Sequence, residues 1–226
     1  MIDNQRFEFI YCANNDDLCQ ESLHHLTRLK IPDGFTAGNI ISKNAASIVK
    51  GYQQAMLQSR AKYKVYLHQD VNILNQNFLF DIVALFKKYP KLGLLGVLGA
   101  KRLPPNGIWW DAAQQYGKVY YFDQLNHCNT EVTGDYESVQ IVDGMIMITQ
   151  YDLPWRVDRF TGWHFYDASQ SLEFLKAGYA VGVPRQAEPW CSHNSTSSML
   201  PFIIYQQVFC DVYQPFLTEK DIGASQ

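Results

Sequence analysis

The apolar and polar positions fall into short blocks whose spacing names most of the secondary structure. FEFIYCANN (7–15) runs apolar and then exits polar, as a buried strand does. DDLCQESLHHLTRLK (16–30) places Leu18, Leu23, Leu26 and Leu29 roughly on one helical face, and its two leading aspartates suit the positive end of a helix. IPDG stops it, and residues 34–42 show little pattern. SKNAASIVKGYQQAMLQSRA (42–61) reads as a second helix with Ser42 as its N-cap. The strand YKVYLHQDV (63–71) ends in His68, Gln69 and Asp70. QNFLFDIVALFKKYP (76–90) is the clearest helix, with Leu79, Ile82, Val83 and Phe86 on one face and Pro90 ending the pattern. LGLLGVLGA (92–100) reads as the next strand, and 101–138 as loop with one strand at KVYYF (118–122). VQIVDGMIMI (139–148) is a strand interrupted by Asp143 and Gly144. A helix fits DASQSLEFLKAGYA (167–180), followed by a short strand YAVGV, a polar loop EPWCSHNS and an apolar helix over 199–217; the final IGASQ reads as frayed.

The order β-α-α-β-α-β in the first hundred residues predicts an α/β fold with a mainly parallel central sheet flanked by helices. No repeat, linker or low-complexity segment divides it, so the expectation is a single domain over 1–226 with its core at about 7–196. In such sheets ligands sit beyond the carboxyl ends of the strands. That rule puts the exits Asn14-Asn15 and His68-Gln69-Asp70 on one edge.

Composition matters mainly for what it excludes. With 47% apolar and 18% charged residues the chain packs a core rather than staying disordered. A net charge of −3 gives no electrostatic footprint for nucleic acid. Five scattered cysteines with no CxxC fit a reducing compartment. No secretory leader opens the chain, and no apolar run approaches the roughly 18 residues of a transmembrane segment. The expectation is therefore a cytoplasmic protein, with peripheral membrane association and oligomeric state left open. GxGxxG, GxxxxGK[ST], GxSxG and HExxH are all absent, which removes dinucleotide, P-loop, hydrolase-elbow and zincin readings.

Three stretches carry candidate chemistry. His68 and Asp70 lie two apart, so in an extended chain they face the same side. An imidazole and a carboxylate there are either metal ligands or a polar strand end. In GWHFYDAS (162–169), Asp167 sits at a helix start among aromatics, as an N-cap or as a desolvated general base. In WCSHNS (190–195), His193 is a ligand or simply a loop residue; Cys191 beside it lacks a partner pair at zinc spacing. Trp109 and Trp110 could stack on a sugar ring or anchor a loop; in an extended segment only one of them would face a site.

Taken in order, these strings resemble the GT-A nucleotide-sugar glycosyltransferases, and within them the family 2-like enzymes of the streptomycin-biosynthesis type. The resemblance spans about 7–196. LHQDV resembles the family's acidic metal motif, and GWHFYDASQSLEFLKAGYAVGV resembles the segment bearing the acceptor-side acid. The resemblance implies a nucleotide-sugar-dependent, hexosyltransferase-like enzyme that inverts at the anomeric carbon. It implies a divalent cation, Mn2+ or Mg2+, held by Asp70 and His193, with His68 standing where the usual motif has its first aspartate. It implies Asp167 as general base, and Ala13, Asn14, Asn15, Lys43 and Asn44 near the nucleotide. Asp143 and Gly144 would line the sugar or acceptor pocket, with Trp109 as a stacking surface. Its donor would be a nucleotide-diphosphate sugar; the acceptor is not identified. Two rivals stay open, an inactive nucleotide-sugar-binding or assembly module of the same fold, and a nucleotidyltransferase, although CANNDD is not the basic glycine-rich loop that the latter carries.

Overall fold

The computed structural model describes residues 1–194 and 202–217. In chain order the elements are β1 (Asp3–Ala13), α1 (Asp16–Leu26), β2 (Thr36–Lys43), α2 (Ile48–Gln58), β3 (Ala61–His68), β4 (Val71–Ile73), α3 (Phe78–Lys88), β5 (Leu92–Gly96), β6 (Leu98–Ala100), β7 (Gln115–Tyr121), β8 (Gln124–His127), β9 (Tyr136–Ser138), β10 (Ile141–Val142), β11 (Ile146–Thr149), α4 (Tyr166–Lys176), β12 (Ala180–Pro184), β13 (Cys191–His193) and α5 (Phe202–Leu217). None of the described helices is long and apolar enough to cross a membrane.

A seven-stranded sheet in the order β2-β1-β3-β11-β5-β12-β9 forms the centre. Side chains of β1 alternate strictly. Ile10 and Cys12 enter one core, with α2, α4 and α5; Phe7, Phe9, Tyr11 and Ala13 enter the other, with α1, α3 and a smaller sheet. Phe78, Leu79, Ile82 and Phe86 of α3 are almost wholly buried, each contributing roughly 1.5–3 kcal/mol by leaving water. The sheet is mixed. β1, β2, β3, β5 and β12 run one way, and β11 and β9 run against them. The mainly parallel reading thus holds for direction, but β11 is inserted antiparallel between β3 and β5.

The reason lies in the smaller sheet, β10-β6-β7-β13-β4, with β8 paired to β7. Residues 92–100 are not one strand: β5 belongs to the large sheet and β6 to the small one. Residues 139–148 split the same way into β10 and β11, so Asp143 and Gly144 form a crossing between sheets. The chain enters β11 from the carboxyl edge of the parallel strands, and His68 N donates to Met145 O at 3.1 Å. The crossing therefore sits at the exit of β3.

Other expectations need correction. Residues 36–43 are strand β2 rather than weakly patterned chain; as the sheet's edge it is half exposed along its length, so no burial rhythm marks it. Ser42 is consequently in a strand and caps nothing. The cap of α2 is Ser47, whose hydroxyl accepts from Lys50 N at 3.3 Å. The loop-rich 101–138 holds three strands, β7, β8 and β9. α1 ends at Leu26 rather than running to 30. The expected start of the last helix at 199 and the frayed IGASQ lie outside the described residues.

Candidate functional site

The carboxyl ends of β1, β2 and β3 are aligned by the sheet. Cys12 lies beside Ser42 and His68, and Ala13 beside Lys43. Ala13, Asn14, Asn15, Lys43, Asn44, His68 and Asp70 therefore gather on one edge, as the ligand rule for open sheets anticipates. The edge is tied together by Gln69, which the sequence reading passed over. Its Oε1 accepts from Asn14 N at 2.8 Å and Asn15 N at 2.9 Å, and its Nε2 donates to Asn14 Oδ1 at 2.7 Å. No local signal marks it: Gln69 lies in the turn after β3, and its bonds run across the fold to the exit of β1. Asn15 also caps α1, its Oδ1 accepting from Leu18 N at 3.1 Å. Lys43 reaches Asp16 at 2.7 Å, and both are well exposed. Asn44 adopts a left-handed conformation, φ 53°, which asparagine tolerates better than most residues.

The antiparallel pairing of β4 with β13 sets His193 beside Val71, directly after Asp70. One ligand atom each from His68, Asp70 and His193 lie within 4.8 Å of one another. His193 Nε2 is 3.4 Å from Asp70 Oδ1, and the two side chains are only 14% and 9% exposed. Neither ring nitrogen of His193 has a hydrogen-bond partner. A buried polar atom left so costs about 1–3 kcal/mol, and a coordinated ion would remove that cost. The residues thus fit a metal. The donor set of two imidazoles and one carboxylate suits manganese better than magnesium, which prefers an all-oxygen shell. Burial, and then the neighbouring His193, hold the His68 imidazole below its ordinary pKa, favouring the neutral form that ligates. Cys191, on the same face of β13, is buried in the core with Sγ 4.0 Å from Met145 Sδ, and lies outside this ligand cluster.

On the far side of His68, its Nε2 is 2.5 Å from the hydroxyl of Tyr166, the first residue of α4. That contact requires Gly144: a Cβ there would lie 2.1 Å from the Tyr166 hydroxyl. Asp167 follows, with Oδ2 accepting from Gly144 N at 3.0 Å and Oδ1 from Ala168 N at 2.9 Å. It is not the helix cap. Phe165 holds that place in a left-handed conformation, φ 60°, and makes no capping bond. Phe165 packs on Phe202 and Phe209 of α5, with ring centroids 4.8 and 5.1 Å away. Burial, and then the carboxylate of Asp143, push Asp167 from 3.8 up to about 7, although the two N–H groups pull it down.

Trp109 and Trp110 begin a short 3-10 turn, so the extended-segment expectation does not apply. Trp109 is partly buried against both cores. Trp110 is 46% exposed and meets the Phe202 ring at 5.4 Å. Of the expected residues, His68, Asp70 and His193 converge, Asp143, Gly144 and Asp167 converge beside them, and Tyr166 joins the two groups. Tyr166 was legible only as one aromatic among several in GWHFYD.

Among solved structures, the fold resembles a TarS fragment from S. aureus in complex with UDP (TM-score 0.55, 11% identity, 91% of this chain and 64% of that one). It also resembles the mannosyltransferase PcManGT from Pyrobaculum calidifontis in complex with GDP-Man and Mn2+ (TM-score 0.57, 10% identity, 90% and 60%). A third is a mutant Drosophila β-1,4-galactosyltransferase 7 in complex with manganese, UDP-Gal and xylobiose (TM-score 0.54, 12% identity, 89% and 79%). The chain thus spans under two thirds of the length of the first two. At these identities the likeness establishes the GT-A fold. Comparison with curated protein sequences finds no match. The sequence model of a family described as "Glycosyltransferase like family" matches residues 8–213, nearly the whole chain, and the protein belongs to that family.

Proposed function

We propose that the chain transfers a hexose from a nucleotide-diphosphate sugar to an acceptor hydroxyl, with inversion and with metal assistance. The observation that carries the reading is the pair of buried ring nitrogens on His193, neither with a hydrogen-bond partner, gathered with Asp70 and His68 at the sheet edge where such ligands bind. His68, Asp70 and His193 would hold the divalent cation, Mn2+ in preference to Mg2+. When bound, that ion neutralises charge on the departing diphosphate. Tyr166 orients the His68 ring. Ala13, Asn14 and Asn15, with Lys43 and Asn44, border the nucleotide, while Gln69 keeps their loop in place. Asp143 and Gly144 line the sugar and acceptor side, with Trp109 as an aromatic wall.

Asp167 takes the proton of the acceptor hydroxyl, whose oxygen attacks the anomeric carbon opposite the leaving diphosphate. A carboxylate near pH 7 is matched to that task, strong enough to accept a proton and still ionised at working pH. The GT-A fold and family membership support this reading, as do the UDP, UDP-Gal and GDP-Man complexes of the structural neighbours. Within the same proposal the chain acts as one transferase domain. A cytoplasmic location belongs to the same proposal.

Calorimetric titration of UDP, GDP and dTDP, with and without manganese, tests it. Manganese-dependent binding of one nucleotide is expected, and that result names the donor class. Binding without any product from the matching nucleotide sugar and a panel of hydroxyl acceptors would favour the binding-module alternative. Binding of none would remove the donor site.

A further inference from the structure

The small sheet has a second face. Because side chains alternate along β13, His193 and Cys191 turn toward the site and the core, and Ser192 turns away from both. Register extends this into a row: Ser192 lies beside Asn72 on β4 and beside Tyr120 on β7, and Tyr120 beside Leu125 on β8. The residues flanking that row, Val71, Ile73, Val119 and Cys191, belong to the core. Glu21 and His25 of α1 wall one side of the row, and Asp123, Leu74 and Asn194 complete a groove of about 370 Å³. Small-molecule sites occupy about 300–1,000 Å³.

Within the groove, Asn72 is only 6% exposed. Its Nδ2 donates to Glu21 Oε1 at 3.1 Å, which fixes the amide's orientation, and its Oδ1 is then left with no hydrogen-bond partner. This acceptor lies unsatisfied beneath the floor of the groove, while Ser192, Tyr120 and the two carboxylates line it. Among the described residues the lining holds no lysine or arginine but has two carboxylates, Glu21 and Asp123, so phosphates and other anions are disfavoured. The cluster with metal-ligand spacing among the described residues is the one on the opposite face. The lining suits hydroxyl chemistry: carboxylates and carboxamides pair with vicinal O–H groups, and Tyr120 lies against an apolar ring face.

We propose that this groove is a second binding site, separate from the transfer centre, for a neutral saccharide. It would retain a carbohydrate chain on the protein and does not depend on the transfer reading. Amide-resolved NMR titration with cellobiose, maltose, lactose and N,N′-diacetylchitobiose tests it. At least one sugar should shift resonances of Asn72, Tyr120 and Ser192. The shifts should persist in the presence of UDP and manganese and in Asp70→Asn, so that loss of the donor site leaves them intact. Tyr120→Ala and Asp123→Ala, both at the rim, should each weaken binding about tenfold. The proposal is overturned if no sugar shifts these residues, if UDP with manganese abolishes the shifts, if both rim variants bind as wild type, or if calcium chloride alone reproduces the effect.

Discussion

Two carboxylates stand on either side of Tyr166 and their surroundings differ in kind. Asp70 faces two imidazoles, one of them with both nitrogens unpartnered. Asp167 faces a second carboxylate, Asp143, and two backbone N–H groups. The first setting is short of positive charge and invites a cation. The second makes a proton hard to lose and yields a base poised near pH 7. Where neighbouring acids are placed in environments that pull them apart, their roles separate. Under the proposed function the same residue type would serve binding at one position and proton transfer at the other, and this division can be tested.

The largest expected effect is on the base side. Asp167→Asn should reduce turnover by about 10²–10⁴-fold while leaving nucleotide affinity within about twofold. Single-turnover rates alongside calorimetry would measure both, and full turnover in the variant would end the base assignment. On the cation side the pattern reverses: Asp70→Asn and His193→Ala should remove the manganese dependence of nucleotide binding, a loss of more than about 100-fold, beyond the 10–100-fold typical of residues that only support a ligand. Tyr166→Phe belongs to that supporting class. It should weaken manganese about 10–100-fold, read by electron paramagnetic resonance of the free ion, with the fold retained.

The remaining effect is on stability, and it has a definite sign. Asp167 has a folded value of about 7 against an ordinary 3.8. Its contribution to stability is therefore complete below about pH 4 and lost as pH rises through 7, a change on the order of 4 kcal/mol. Denaturant unfolding from pH 4 to 8 should show that decline in the wild type and a flatter profile in Asp167→Asn. The pH that readies the base is thus the pH that costs the fold. An unchanged profile in the variant would mean the carboxylate titrates where ordinary ones do.

The comparison also explains what the sequence could disclose. β1, β3 and α3 were legible because they are buried on a fixed rhythm. β2 was not, because an edge strand with half-exposed residues has no rhythm to read, and Ser42 then looked like a cap. LGLLGVLGA hid its division into β5 and β6 because both halves are fully buried. The division at 139–148 left a trace in Asp143-Gly144, whose role as a crossing between sheets became visible only in three dimensions. His68, Asp70, His193 and Asp167 could be picked out by residue type, yet nothing local brings His193 to Asp70; the pairing of β4 with β13 does. Gln69 and Tyr166 went unread because their work is holding others in place, which depends on contacts across the fold.

Phe165 has a consequence beyond the chemistry. A bulky residue in the left-handed region costs about 1–2 kcal/mol, and Phe202 and Phe209 hold it there. Remove α5 and the sheet, the cation ligands and the nucleotide edge all keep their own supports, but the backbone entering α4 is released to turn the other way, carrying Tyr166 and Asp167 with it. The last described helix supplies none of the proposed reacting groups, yet it bears on them: its aromatic side chains hold one dihedral angle two residues before Asp167.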